Sequence, residues 1–225
     1  VSLLSIDIGN TNALCLDHSS GESFPFNESI NFNQYPKIIF SSVLNPKDMK
    51  SKFQWFNFDQ YTNAKDFIQD NTFLKMPINY TTHSIGIDRV LCAYSIFKSE
   101  AQGEHIVIDA GTFTTIDHVN SKGFQSGFIA PGIDGYISLY NEGSKLPPLS
   151  KRALLEDNNK ASAHNTNEAI IKSIKHSYLG IINSFNLPNA HITLTGGNYK
   201  FFEEFLDIKA LKKPLLIHQA MKFLA

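Results

Sequence analysis

Two stretches of the chain place a carboxylate, a glycine and a run of hydroxyl or amide side chains at matching spacing. Ser5-Ile6-Asp7-Ile8-Gly9-Asn10-Thr11-Asn12 is echoed by His105-Ile106-Val107-Ile108-Asp109-Ala110-Gly111-Thr112-Phe113-Thr114-Thr115. The chemistry this device suits is the handling of polyphosphate. A glycine lets the backbone come close and take dihedrals that a Cβ would forbid. Thr and Asn side chains and exposed N–H groups can donate to phosphate oxygens, and each Asp stands where a carboxylate could hold a metal ion or its water. One D-x-G-[NT] alone reads first as an ordinary turn. Two copies, each after an apolar strand and before another β-prone stretch, favour phosphate binding over that reading.

The elements that must position these residues follow from periodicity. Leu3 to about Phe26 reads as a three-stranded meander with turns at Gly9-Asn10 and Ser20-Gly21, and Lys37–Leu44 as a further strand. Trp55, Phe56 and Phe58 are expected on a strand, and Asn63–Gln69 on a short helix. Val90, Leu91, Tyr94 and Phe97 fall on one helical face, which puts Gly86-Ile87-Asp88-Arg89 at a helix entrance. Taken alone, that motif is a helix start with Asp88 at the positive end of the dipole and Arg89 in solvent. A second meander runs through Ile106–Asp109, Thr114–Val119 and Phe124–Ala130, closed by Pro131-Gly132 and followed by a helix over Ile133–Tyr140. Glu142–His164, with Pro147-Pro148, Lys151-Arg152 and Glu156-Asp157-Asn158-Asn159, reads as an exposed, mobile connection, partly helical around Ala153-Leu154-Leu155. Asn165-x-x-Glu168 is a capping-box pattern opening a long helix near Thr166. His191–Thr195 is expected as a strand ending in Gly196-Gly197, with a helix over Tyr199–Leu206. Those two glycines suit the close approach of a flat base, or simply a sharp strand-to-helix turn.

Composition bounds the possibilities. Hydrophobic residues make up 42% and charged residues 18% of 225, an ordinary globular balance, and 18 Phe promise an aromatic core. A net charge of −1 gives no electrostatic case for nucleic acid or an anionic membrane, so a bound polyanion must be held locally. Cys15 and Cys92 lie apart in apolar stretches, which points to reduced thiols and a cytoplasmic setting. No apolar run reaches the ~18 residues of a membrane span. Each half therefore reads as a meander followed by helices and further strands. The expected fold is α/β, two duplicated ribonuclease-H-like halves of the actin and sugar-kinase superfamily over residues 1–100 and 101–225, with a nucleotide cleft between them.

Asp7-x-Gly9-Asn10-Thr11, Gly86-x-Asp88-Arg89, Asp109-x-Gly111-Thr112 and Thr195-Gly196-Gly197 occur in the order found in one family of that superfamily. With Ile129-x-Pro131-Gly132 and Asn165-Thr166-x-Glu168-Ala169, the chain resembles a type III pantothenate kinase along nearly its whole length. The resemblance implies ATP-dependent phosphorylation of pantothenate by a homodimer that uses Mg²⁺ and a monovalent cation, K⁺ or NH₄⁺. It implies ATP contacts from Asp7, Ile8, Gly9, Asn10, Thr11, Asn12, Ala13, Leu14 and Thr112, with Asp7 near the Mg²⁺ and Asp109 as monovalent-cation ligand. It further implies pantothenate contacts from Tyr80, Gly86, Ile87, Arg89 and Thr166, and Asp88 as both substrate contact and proton acceptor. Upstream of Gly86 the family pattern has a Tyr and a Pro. Tyr80 is present one residue closer than expected, and Thr82-His83 stand in place of the Pro. Ser126 and Ser173 replace two family glycines and read as packing variants.

Three other readings compete. A non-catalytic relative acting in transcriptional regulation would not need Asp7, Asp88 and Asp109 together. A nuclease on the same fold needs clustered carboxylates for two metals, and an actin-like filament or chaperone ATPase would carry inserted subdomains.

Overall fold

The computed structural model describes residues 2–69, 75–80, 85–99, 102–156 and 162–225. They form two five-stranded sheets of one design. The first has the order β3-β2-β1-β4-β5, with β1 Leu3–Ile8, β2 Ala13–Asp17, β3 Ser23–Pro25, β4 Lys37–Ser42 and β5 Thr62–Asn63. β1, β2 and β3 make an antiparallel meander, while β4 and β5 add on in parallel. In the second sheet, of order β10-β9-β6-β7-β8, β6 is His105–Ala110, β7 Phe113–Asn120, β8 Gly123–Pro131, β9 His191–Thr195 and β10 Leu211–Lys212. β6–β7 is again antiparallel, and β9 and β10 are parallel. The repeated order is the duplicated ribonuclease-H-like arrangement of actin-like ATPases.

Among the described residues the helices are α1 Pro46–Lys52, α2 Ala64–Gln69, α3 Ile87–Ser99, α4 Ile133–Asn141, α5 Lys151–Leu155, α6 Thr166–Ser184, α7 Tyr199–Leu206 and α8 Leu216–Phe223. Contacts divide the chain into two units. One comprises Val1–Ala101, Lys122–Phe124 and Leu215–Ala225; the other comprises Gln102–Ser121 and Gln125–Pro214.

In the first unit β1 is covered on both faces. Leu4, Ile6 and Ile8 point into an aromatic core with Phe26, Phe40, Phe53, Phe56 and Phe58, while Ser5 is sealed on the opposite face, where α8 packs on β1 and α3 packs on α8. Alternation along a strand sends Asp7 to the same face as Ser5. The stretch around Trp55 is not the expected strand. Phe53 and Phe56 enter the core from a turn and Phe58 from a 3₁₀ turn over Phe58–Gln60, while Trp55 stacks against Phe32. Alternating aromatics here serve ring packing without a ladder partner.

The second unit buries Ile106, Ile108 and Ala110 of β6 with Ile170, Ile174 and Tyr178 of α6 and Phe202 and Phe205 of α7. α6 begins as the capping pattern requires: Asn165 Oδ1 accepts from the Glu168 amide at 2.9 Å, and Glu168 Oε2 accepts from the His164 amide at 2.7 Å. Of the expected connection Glu142–His164, residues 157–161 lie outside the described residues, and Lys151–Leu155 forms α5. Ser126 and Ser173 are both exposed, consistent with surface substitutions.

Candidate active site

The first hairpin closes tightly. Ile8 pairs Ala13, and the Gly9 amide donates to the Asn12 carbonyl at 2.9 Å, so Gly9–Asn12 is the whole turn and Asn10, Thr11 and Asn12 stand exposed at its tip. Ala13 and Leu14 open β2. Asp7 lies opposite Ser41 in the parallel β1–β4 register, and Ser41 Oγ donates to its Oδ1 at 3.0 Å. Burial pushes the Asp7 carboxyl up to about 6, with the Asp88 charge adding to the rise and the Ser41 hydroxyl opposing it. The Asp88 charge thus reaches Asp7 within the first unit.

Asp88 occupies the first turn of α3, where its Oδ1 accepts from the Arg89 amide at 2.9 Å. Its carboxyl folds over Gly86, and a Cβ at that position would strike Asp88 Oδ1. Burial raises its proton affinity, while the Arg89 amide and charge act in the opposite direction. Ile87 is buried and anchors the helix start. Arg89 is only 3% exposed, which overturns the solvated-arginine reading of this motif. Its guanidinium lies 5.6 Å from the Tyr80 ring centroid and 5.4 Å from that of Phe124, a cation–π arrangement that gains strength when desolvated.

Phe124 is the residue that sequence reasoning missed, having been taken only as strand. A short bridge brings it there: the Phe124 amide donates to the Pro77 carbonyl at 3.0 Å, and the Asn79 amide donates to Phe124 at 2.8 Å. Gly123, at φ +92°, is required because a Cβ would collide with the Pro77 carbonyl oxygen. Thr82 and His83, where the family pattern has its Pro, lie outside the described residues.

In the second unit Ala110 pairs Thr114, leaving Gly111 and exposed Thr112 at the turn that leads into β7. This turn is held from behind. The Gly132 amide donates to the Thr112 carbonyl at 3.1 Å, and a Cβ on Gly132 would strike the Gly111 and Thr112 oxygens. Tyr178 Oη fixes the preceding Pro131 carbonyl at 2.7 Å. Asp109 pairs Thr195 in register, and Gly196, at φ +82°, leaves the space that the Asp109 carboxylate fills. Thr166 is the exposed first residue of α6. Asp117, on the strand after the hairpin, is buried within the unit, and His118 pairs with Glu104.

The residues fit the expected ions by donor chemistry. Asp7 and Asp88 offer carboxylate oxygens whose charges are both disfavoured by lost hydration, a cost that a divalent cation held at Asp7 would offset. Among the described residues no group of three His, Cys, Asp or Glu could hold a metal. That suits Mg²⁺, which uses one or two carboxylates and takes its remaining ligands from phosphate and water. Among the described residues no helix is long and apolar enough to cross a membrane.

Known proteins resemble the chain at two levels. Relatives named type III pantothenate kinase include one from Campylobacter jejuni strain RM1221, 27% identical over 98% of this chain and 95% of its own length. One from Mycoplasma mobile is 30% identical over 90% of each chain. Among solved structures, a proposed Baf family transcriptional activator from Campylobacter jejuni superposes with a TM-score of 0.68 at 24% identity, covering 97% of this chain and 95% of that one. Component A of the (R)-2-hydroxyglutaryl-CoA dehydratase of Acidaminococcus fermentans gives 0.55 at 12% identity over 98% and 94%. These structural likenesses establish the fold alone. The family description type III pantothenate kinase matches residues 3–186, spanning both hairpins, the Gly86–Arg89 motif and Thr166. With the aligned relatives covering nearly the whole chain, this places the protein among ATP-using kinases as a member of the type III pantothenate kinase family.

Proposed function

We propose that the chain transfers the terminal phosphoryl group of ATP to the primary hydroxyl of pantothenate, giving 4′-phosphopantothenate, the first step towards coenzyme A. The observation that carries this reading is the half-buried Asp88 carboxyl beside the buried Arg89, whose guanidinium lies near the Tyr80 and Phe124 rings, in the same unit as the Asp7 hairpin. Phosphoryl transfer asks a protein mainly for alignment and charge. The exposed donors of Asn10, Thr11 and Asn12 serve the phosphates, and Thr112 of the second unit is a further ATP contact. Arg89, whose guanidinium lies near the Tyr80 and Phe124 rings, would bind the pantothenate carboxylate, for which a guanidinium fork is suited. Tyr80 and Gly86 shape that pocket, and Thr166 contributes a hydroxyl to the substrate.

Asp88 accepts the hydroxyl proton. Its raised proton affinity favours that role, and in a loose transition state the proton leaves late, so aligning the hydroxyl matters as much as basicity. Asp7, with Asp88 near enough to affect it, would hold Mg²⁺, and Asp109 against Gly196 would hold K⁺ or NH₄⁺. Bound there, the ions would supply positive charge against that developing on the phosphoryl oxygens. We read the active species as a cytoplasmic homodimer with no nucleic-acid or membrane partner; light scattering of the active protein tests this, and a monomer at full activity would refute the dimer.

The deciding experiment combines purified protein, MgATP, K⁺ and pantothenate and reads 4′-phosphopantothenate by mass spectrometry. Product formation is expected. Well-folded protein that binds nucleotide without forming product would favour the regulatory reading, which the retained Asp7, Asp88 and Asp109 disfavour.

A further inference from the structure

Behind the second hairpin lies a polar network that neither the family motifs nor the chemistry above uses. Lys151 Nζ, at the first residue of α5, lies 2.8 Å from Asp134 Oδ1 and 3.1 Å from Oδ2, and donates to Asn198 Oδ1 at 2.8 Å. Asn198 Nδ2 completes the triangle by donating to Asp134 Oδ2 at 3.2 Å. Each side chain satisfies the other two, with the amide oxygen facing the ammonium and the amide nitrogen facing the carboxylate.

Two corners of this triangle bear on the turn that carries Asp109 and Thr112. The Asn198 amide donates to the Ala110 carbonyl at 3.0 Å, directly below Gly111. Asp134 lies two residues beyond Gly132, whose amide holds the Thr112 carbonyl at 3.1 Å. The carbonyls on both sides of Gly111 therefore hang from segments that Lys151 joins. We infer that Lys151, through Asp134 and Asn198, is a positioning residue for the nucleotide: it fixes the distance between the Gly132 and Gly196–Asn198 supports and so the attitude of the Gly111–Thr112 turn.

The ion pair is partly solvated, with the two side chains 40% and 65% exposed, and such pairs contribute little to global stability. Its loss should appear as weaker nucleotide binding without a matching loss of fold, which separates positioning from a merely structural role. The inference rests on the reading of the second hairpin as an ATP contact. Direct binding of MgADP, measured by calorimetry, tests it without requiring turnover.

Lys151→Met should raise the MgADP Kd and the KM for ATP about fivefold or more, the lower end of coupling between linked sites. The KM for pantothenate and the melting temperature should stay near wild type. Asp134→Asn should reproduce this pattern, and Lys151→Arg, which keeps the charge, should restore most of the affinity. Lys50→Met breaks a comparably exposed pair with Asp59 in the other unit and should change none of these values. Unchanged MgADP affinity in Lys151→Met would overturn the inference, as would an Arg variant as impaired as Met, or a parallel loss of pantothenate affinity and melting temperature. Wild-type protein that binds MgADP yet forms no phosphopantothenate would sink the proposed reaction while the Kd values still decide on Lys151. Failure of the wild type to bind MgADP would overturn both.

Discussion

Adding one methyl group to Gly196 tests whether its backbone makes the room that Asp109 occupies, and Gly197 supplies the control beside it. At φ +82° an alanine is in the left-handed region, which costs about 1–2 kcal/mol. Its Cβ would stand 2.8 Å from the Ala110 nitrogen and carbonyl carbon and would strike Asp109 Oδ1. Because two of those three atoms are backbone, no side-chain rotation relieves the overlap, and forced repacking of this kind adds about 1–3 kcal/mol. Gly196→Ala should therefore lose about 2–5 kcal/mol. For a chain of this size each kcal/mol moves the melting temperature by about 2–4 °C, so thermal unfolding should fall by roughly 4–20 °C. A Cβ on Gly197 meets nothing within 4 Å, and Gly197→Ala should be neutral or gain up to about 1 kcal/mol through the unfolded chain. Melting curves of the two variants, recorded side by side without ligand, check this. Equal melting temperatures would refute the packing argument, because only Gly196→Ala brings both the left-handed backbone cost and the overlap with Ala110 and Asp109.

Further outcomes follow from both units. Asp88→Asn should lower turnover by about 10²–10⁴-fold while MgATP binding persists, whereas Asp7→Asn should impair MgATP binding itself; steady-state rates with calorimetry separate them. In Mg²⁺-free buffer Asp7→Asn should be the more stable protein at pH 7.5. With the folded carboxyl at about 6 against 3.8, wild type has the full benefit of the protonated group below 3.8 and loses it as pH rises through 6, at most about 3 kcal/mol at 1.36 per unit. Urea melts should then coincide near pH 3.5 and diverge at 7.5. Burial holds the His218 imidazole near 3 in both proteins, so its titration cancels in the comparison. Arg89→Lys should raise the KM for pantothenate by tenfold or more with the KM for ATP unmoved, since an ammonium cannot form the planar fork. Replacing K⁺ by Na⁺ should lower turnover strongly, and Asp109→Asn should abolish that salt dependence; equal rates of wild type in both salts would refute a sized cation site at Asp109.

What could be read from the sequence was whatever local spacing determines. The two hairpins repeat a short pattern that fixes strand, turn and returning strand within a dozen residues, and the Asn165–Glu168 cap fixes the start of α6 without reference to distant chain. The aromatic stretch from Phe53 to Phe58 misled because alternation signals a strand only when a neighbour supplies hydrogen bonds; here the rings pack on Phe26 from a turn. Phe124 escaped notice for a related reason. Its place against Arg89 depends on pairing with Pro77 and Asn79, more than forty residues earlier. The Lys151 network joins segments 17 and 47 residues from the lysine, and no periodicity encodes such a meeting. The family resemblance pointed to Arg89 as a substrate contact, but its burial beside Tyr80 and Phe124 could not be read from the helix-start motif alone.

The packing of α8 against β1 sets an order on vectorial synthesis. Ser5 Oγ lies 2.7 Å from His218 Nδ1 and 2.8 Å from His18 Nε2, a hydrogen-bonded junction between residues 213 positions apart. Domains usually fold in turn as they leave the ribosome, the N-terminal one first. Here the strand that carries Asp7 is made before the second unit, and the helix that seals its polar face only after it. Until α8 is made, the first unit remains open on one side, with its buried serine still wet. A nascent chain halted after Pro214 would contain every residue assigned to ATP and pantothenate, yet would lack the helix that shuts water away from the strand behind Asp7.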